Sequence, residues 1–432
     1  MNIGNMIFRA FPSLCPALRI GYHWLKWGWM SCGIIPQTRR NYQEQLSRLN
    51  VESRRRKIKV LFLFDENSKW KCQRLYELME RSSLFEPVVA LTRGDIDWEL
   101  PQEEFVRKFE GNKRFCERHN LRYVEAYVCE SNQAVELSAF SPDVVFYQHP
   151  WQLPQCQEVR NVSRFALTCY VPYYVIFYDA TEMDAQRPLH QLVFRYFLIN
   201  NDWVSHFNCK RHGFPIAGQM VGTGHPMLDL YEGQKPNSGD VVIYAPHWSV
   251  PNKIKPTECY STFLDTGELV LKYAKEHSDV KWCFKPHPSL RRTLECCPGW
   301  TKKRIDKYYG EWESIGEACY TGDYPEIFKR SCVMITDCTS FLIEYSTLDK
   351  PLIYLISNKS RFAPGKPNLR LINTFYQVRK QEELIPMLDK IILRREDPNR
   401  EARQKAAREM NILDSHASEN IVRHLENLIL GG

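Results

Sequence analysis

The feature that most constrains this chain is the run 58–64 (IKVLFLF), apolar at almost every position and preceded by a charged stretch. A strand exposed on one face alternates apolar and polar residues; a run without alternation belongs to a strand covered on both faces. Comparable runs recur at 88–91, 143–147, 166–171 and 219–222, and again at 241–244, 280–284, 332–336 and 352–355. Helical patterns separate them at 70–80, 103–119, 262–276 and 340–348, and the tail 396–430 is helical and charged. The polar break 232–240 (EGQKPNSGD) divides the series in two. Alternating strands and helices predict parallel sheets with helices on both faces. The expectation is therefore an α/β chain of two doubly wound, Rossmann-like domains facing a central cleft. Its predicted parts are an extension (1–57), a first domain (58–231), a second domain (240–395) and C-terminal helices (396–432).

Charge narrows the partners. The 432 residues carry a formal +7, yet residues 1–59 alone hold eleven Lys/Arg against two acids, a local +9 that leaves the body at −2. A nearly neutral body argues against a nucleic-acid-binding protein. The fifteen cysteines are scattered without a CxxC pair, which predicts free thiols in a reducing compartment and no zinc site. No run reaches the roughly 20 apolar residues of a spanning helix, and no signal-peptide pattern is present. Instead Phe8, Phe11, Trp24, Trp27 and Trp29 mix with Arg9, Arg19 and Lys26, and no acid precedes Glu44. Aromatics with cations and no acids suit a segment lying in a lipid interface; packing on the protein's own body, or on a second copy, is the other reading. Residues 39–57 read as a solvated linker or exposed helix.

Four motifs follow predicted strands, where the cleft should open. His149 leaves the run 143–147 into a loop and can accept a proton near neutral pH; a structural loop histidine is the bland alternative. His247 lies in YAPHWS (244–249), where Trp248 could equally anchor the loop. In WCFKPHPSLRR (282–292), Lys285, His287, Arg291 and Arg292 emerge together, a cluster suited to a phosphate or diphosphate. In VMITDCTSFLIEY (333–345), Asp337 ends a strand, and Thr339 and Ser340 stand at the N-cap of the next helix, a position that favours anions. A plain capped helix explains the last motif as well, and Glu344 and Tyr345 read as a packed helix face. No Walker lysine, GxGxxG, GxSxG or HExxH motif occurs. No cofactor and no metal are predicted.

With these motifs in this order, the chain resembles the CDP-glycerol glycerophosphotransferase family, the teichoic-acid and capsule polymerases and primases. The resemblance runs through VVIYAPHWS (241–249), FKPHP (284–288) and GDYPEIFKRSCVMITDCTSFLIEYSTLDKPLIYL (322–355), with GTGHPMLDL (222–230) matching the pattern that closes the first domain. It implies a GT-B-like fold and transfer of a polyol phosphate, glycerol phosphate first, from a CDP-activated donor to a hydroxyl, with release of CMP. It also implies catalytic roles for His149, as acceptor base, and His287, at the donor diphosphate. Lys285, Arg291, Asp337, Thr339, Ser340 and His247 would hold the donor. Family polymerases usually carry His-Gly-Lys where this chain has His149-Pro150-Trp151. The implied partners are CDP-glycerol or a related CDP-polyol, a lipid-linked glycan or polymer acceptor, and an anionic membrane surface met through residues 1–57; self-association is left open. The implied location is the inner face of the cell membrane, on the cytoplasmic side. Two other readings remain at this stage: a GT-B glycosyltransferase using a nucleotide sugar, and a catalytically silent nucleotide-binding or scaffold member.

Overall fold

The structure, a computed structural model, describes residues 30–149, 152–177, 192–209, 218–233, 239–251, 260–320, 324–358, 364–413 and 415–431. Among these, the first lobe is built on β1 (Ile58–Phe64), β2 (Phe85–Leu91), β3 (Tyr123–Glu125), β6 (Val144–Tyr147), β7 (Leu167–Tyr170), β8 (Arg195–Leu198) and β9 (Met220–Gly222). A small antiparallel pair, β4 (Tyr127–Val128) and β5 (Gln133–Ala134), lies beside it. The main sheet is parallel, in the order β3-β2-β1-β6-β7-β8-β9. The second lobe carries β10 (Val241–Ala245), β11 (Lys281–Phe284), β12 (Glu317–Ala318), β13 (Ser331–Thr336), β14 (Leu352–Leu355) and β15 (Tyr376–Val378). They form a second parallel sheet, β12-β11-β10-β13-β14-β15. The apolar runs are covered on both faces, as their lack of alternation requires: β1, β6, β10 and β14 are buried at nearly every position.

Helices cover these sheets through single apolar stripes. Helix α1 (Ile35–Glu52) buries Ile35, Thr38, Tyr42 and Leu49, spaced as one face of a helix requires. The Tyr42 hydroxyl pairs with Thr168 Oγ1 at 2.5 Å and donates to the Leu192 carbonyl at 2.7 Å. Of the two expectations for 39–57, a solvated linker or an exposed helix, most of the segment is helix, and its Tyr42 and Leu49 are buried against the first lobe. Two of the basic surplus are spent internally, because Arg48 and Arg56 both pair with the buried Asp143 at the start of β6. Residues 1–29, where the interfacial reading rests, lie outside the described residues, as do Pro150, Trp151 and 234–238 of the predicted linker. Helices α2 (Gln73–Arg81) and α3 (Gln102–Arg118) flank the first sheet, and α4 (Phe263–Glu276), α5 (Lys302–Ile315) and α6 (Thr339–Ser346) the second.

After α7 (Arg400–Glu409) the chain crosses back, and α8 (Ala417–Leu430) buries Ile421, Leu425 and Ile429 in the first lobe's core. Burying three such side chains is worth about 1.5–3 kcal/mol each. GTGHPMLDL is the latch for that helix. Gly224 has φ +92°, and a Cβ there would stand 2.8 Å from Ala417 Cβ. Asp229 accepts the Ala417 and Ser418 backbone N–H groups at 3.0 and 2.8 Å, capping α8 from another element. His225 holds the turn, its Nε2 on the Pro172 carbonyl at 2.7 Å and its Nδ1 accepting from Met227 N–H at 3.2 Å.

Burial pushes the His225 imidazole down to about 4. The unfolded chain therefore binds a proton between about pH 4 and the ordinary 6.5 that the folded chain does not, and stability falls as pH drops through that window. Replacing His225 with asparagine is expected to flatten the pH dependence of unfolding free energy there by about 1.4 kcal/mol per pH unit. Urea midpoints measured from pH 4.5 to 7.5 check this; parallel curves for the two proteins refute it.

Candidate active site

In each sheet the winding reverses at the strand that comes first in the chain: β1 lies between β2 and β6, and β10 between β11 and β13. Ligands of such sheets bind outside the carboxyl ends of the strands at that switch. Here each switch brings a histidine-bearing segment and a carboxylate together.

In the first lobe Asp65 directly follows β1 and His149 lies just beyond β6. His149 Nε2 stands 2.9 Å from Asp65 Oδ1, and Lys69 Nζ is 2.8 Å from Oδ2. The pair is almost sealed, with 5% and 3% exposure. Burial alone would raise the Asp65 carboxyl, but His149 and Lys69 outweigh it and hold it well below the usual carboxylate range. Asp65 Oδ1 is placed to accept a proton-bearing His149 Nε2. The loop after β2 packs on the pair: a Cβ on Gly94 would lie 3.0 Å from His149 Cε1 and 3.6 Å from Asp65 Oδ2.

In the second lobe Asp337 directly follows β13. Its Oδ1 accepts the His247 backbone N–H at 2.6 Å; its Oδ2 accepts Thr262 N–H at 2.6 Å, Ser261 Oγ at 2.9 Å and Thr262 Oγ1 at 3.1 Å. Both oxygens are occupied in holding the β10 exit to the start of α4. The His247 ring is similarly engaged, with Nδ1 2.9 Å from Ser249 Oγ and Nε2 3.3 Å from Tyr260 Oη, the tyrosine stacked on it. The polar atoms of these two side chains, both expected at the donor, are engaged within the loop in this structure. Arg291, also expected at the donor, has partners of its own. It is about half exposed, paired with Asp306 at 2.6 Å and packed over Tyr309.

Lys285 and His287 emerge from β11 beside this scaffold, the Lys285 N–H on the Tyr244 carbonyl and the His287 N–H on the Pro246 carbonyl. Lys285 is 2% exposed. Its Nζ lies 4.9 Å from the Tyr324 ring centroid and 5.2 Å from that of Phe341, with no hydrogen-bond acceptor among the described residues. Burial lowers its ammonium. His287 Nδ1 accepts Ser289 N–H at 3.1 Å, which leaves Nε2 as a donor; burial, then Lys285, pushes the ring down to about 3, so it is neutral at pH 7. Thr339 and Ser340 occupy the first turn of α6 rather than its N-cap, which is Cys338. The anion-favouring end of that helix therefore remains where the sequence put it, displaced by one residue.

The sequence reading missed a polar chain that crosses between the lobes. Lys71 Nζ, from the loop after β1, donates to Tyr324 Oη at 2.8 Å; Tyr324 donates to Glu344 Oε2 at 2.9 Å; Tyr231 donates to Glu344 Oε1 at 2.7 Å. Its signal was Glu344 itself, a carboxylate in the apolar stretch SFLIEYS, since a buried acid needs partners. Asp65 had a signal too, as the acid that ends the IKVLFLF run. Lys350 of the LDKP turn is structural, its Nζ on the Phe328 and Lys329 carbonyls at 3.0 and 2.6 Å.

No curated protein sequence matches the chain. Among solved structures, a putative UDP-N-acetylglucosamine 2-epimerase from Listeria monocytogenes is 14% identical, with a TM-score of 0.55 over 87% of this chain and 97% of that one. The H444N variant of the wall teichoic acid polymerase TagF is 12% identical, with a TM-score of 0.53 over 91% and 98%. The S. aureus MnaA–UDP structure is 16% identical, with a TM-score of 0.51 over 86% and 97%. At such identities these likenesses establish the fold, the two-lobed GT-B type. The chemistry comes from the sequence profile of the CDP-glycerol:poly(glycerophosphate) glycerophosphotransferases, which matches residues 196–427. That match spans more than half of the chain and the whole second lobe with Lys285, His287 and α6, and the chain therefore belongs to this family of glycerophosphotransferases, which draw glycerol phosphate from CDP-glycerol.

Proposed function

We propose that the acceptor is a hydroxyl of a lipid-linked glycan or growing polymer, and that His149 deprotonates it. The observation that carries this reading is the 2.9 Å contact between His149 and the ionised Asp65 at the switch point of the first sheet. As Nδ1 takes the hydroxyl proton, the acceptor oxygen attacks the glycerol-bearing phosphorus of CDP-glycerol. The bond from that phosphorus to the CMP oxygen breaks, and CMP leaves with the electron pair. Asp65 stabilises the imidazolium that forms. On the donor side, the Lys285 ammonium, the Nε2–H of neutral His287 and the first turn of α6 with Thr339 and Ser340 offset the charge growing on the diphosphate. The test is a product balance with CDP-glycerol and a lipid-linked glycan acceptor. One CMP per phosphodiester formed is expected; release of a nucleoside diphosphate from a nucleotide sugar, without CMP, overturns the reading.

We also propose that the protein meets an anionic membrane through the aromatic, basic residues 1–29. Arg9, Arg19 and Lys26 together would contribute about 3 kcal/mol on anionic lipid, at roughly 1 kcal/mol each. Because α1 is an integral part of the first lobe, the informative truncation ends before Ile35. Removing residues 1–29 is expected to weaken binding to phosphatidylglycerol vesicles by about 10²-fold or more while sparing turnover on a soluble acceptor analogue. Unchanged vesicle sedimentation sinks the proposal.

A further inference from the structure

Two buried lysines, one from each lobe, converge on one tyrosine ring between the lobes, and among the described residues the charge there does not balance. Lys71 belongs to the loop that also carries Asp65 and Lys69. Its Nζ lies 4.8 Å from the Tyr324 ring centroid, and Lys285 Nζ lies 4.9 Å from the same centroid. Glu344 is the carboxylate that reaches this group, through Tyr324. Lys71 and Lys285 are 6% and 2% exposed, and Glu344 is 1% exposed. Burial lowers both ammoniums, and Lys285 lowers that of Lys71 further. The nearby histidines do not redress the balance, because His287 and His247 are both held neutral by burial.

Among the described residues, two ammoniums against one carboxylate leave positive charge in a site with little water. Buried charge of this kind is costly unless an anion completes it. The donor's diphosphate has the matching sign and charge. It would also explain why, among the described residues, Lys285 has no acceptor and the Lys71 ammonium bonds to a neutral hydroxyl.

We propose that Lys71 is a donor-binding residue supplied by the first lobe, which with Lys285 clamps the diphosphate of CDP-glycerol between the lobes. This rests on the reading that the donor diphosphate lies at Lys285. The clamp has a consequence for the base. The Lys71 backbone N–H donates to Gln148 Oε1 at 3.0 Å, and Gln148 immediately precedes His149. Engaging Lys71 on the donor therefore steadies the loop that carries Asp65 and the segment that carries His149 in one event, so that the base is set when the donor is in place.

The experiment compares Lys71→Met, Lys71→Arg and Lys285→Met, measuring CDP-glycerol affinity by calorimetry, kcat and KM, and the melting temperature without ligand. Lys71→Met is expected to weaken CDP-glycerol binding by about 10- to 100-fold and to raise KM, with Lys71→Arg recovering much of the loss. Its ligand-free melting temperature should not fall, because the substitution removes surplus buried charge. A strut with no ligand role would show the reverse pattern, a lower melting temperature with wild-type affinity, and that result overturns the proposal. Should Lys71→Met fail to fold, Lys71→Gln, which keeps a hydrogen-bond donor toward Tyr324, is read by the same criteria. If Lys285→Met loses affinity and the Lys71 variants do not, the Lys71 assignment alone fails. If neither loses affinity, the placement of the donor at Lys285 fails with it.

Discussion

Replacing His149 with alanine is expected to lower kcat by about 10²–10⁴-fold, the usual contribution of a positioned general base, while CDP-glycerol still binds. Donor affinity should survive because the groups proposed to hold the diphosphate come from β11, α6 and the loop after β1 rather than from β6. Asp65→Asn tests the same unit from its other side. The amide can still accept from Nε2, but it carries no charge to stabilise the imidazolium and can equally donate, turning the ring to the wrong tautomer. A loss of about 10–10³-fold is expected. On the proposal that the two side chains form one base, the double variant should be little worse than His149→Ala alone. Single-turnover rates at saturating CDP-glycerol make the comparison, with donor affinity measured on the same proteins. Wild-type turnover in His149→Ala removes the residue from the mechanism. Full additivity of the two substitutions separates Asp65 from it.

The strands were legible because burial on both faces leaves an unmistakable mark: IKVLFLF and LIYL became β1 and β14 with the expected bounds. β8 and β15 escaped notice because RYFL and YQV are short and mix polar residues into their runs. The buried stripe of α1 was not legible, for the opposite reason. Its stripe is carried by Ile35, Thr38, Tyr42 and Leu49 amid Arg and Gln, and the Tyr42 hydroxyl is satisfied by partners far along the chain. The site divided along the same line. Histidines and lysines that follow strands were visible as candidates, since a strand's carboxyl end is a place and not only a pattern. Which of them stay available to a ligand was not visible. That depends on contacts such as Asp306 against Arg291 or Tyr260 against His247, which bring together segments from different parts of the second lobe. Asp65, Lys71 and Glu344 were missed because their importance is relational: each is ordinary until the fold sets a histidine, a tyrosine or the other lobe beside it.

Asp337 gives the second large effect, and here the expected loss is of stability rather than chemistry. Alanine at this position leaves two backbone N–H groups and two hydroxyls without the acceptor they share, all within a buried loop junction. Orphaned donors cost about 1–3 kcal/mol each where water does not reach them. With partial relaxation, a total of about 3–6 kcal/mol is expected, a large part of the 5–15 kcal/mol that typically holds a domain folded. Asparagine is a poor rescue. If its NH₂ takes the place of Oδ2 it meets three donors, and if flipped it meets the His247 N–H, so every orientation sets donor against donor. Both variants should therefore melt well below the wild type. Hydrogen exchange should accelerate first in 247–251 and 260–263, the segments that Asp337 holds together. A side chain that bound the donor would behave otherwise: Asp337→Ala would keep its melting temperature and lose CDP-glycerol affinity. Measuring both quantities on the folded fraction decides between scaffold and ligand contact, and a stable variant that no longer binds CDP-glycerol would return Asp337 to the phosphate site.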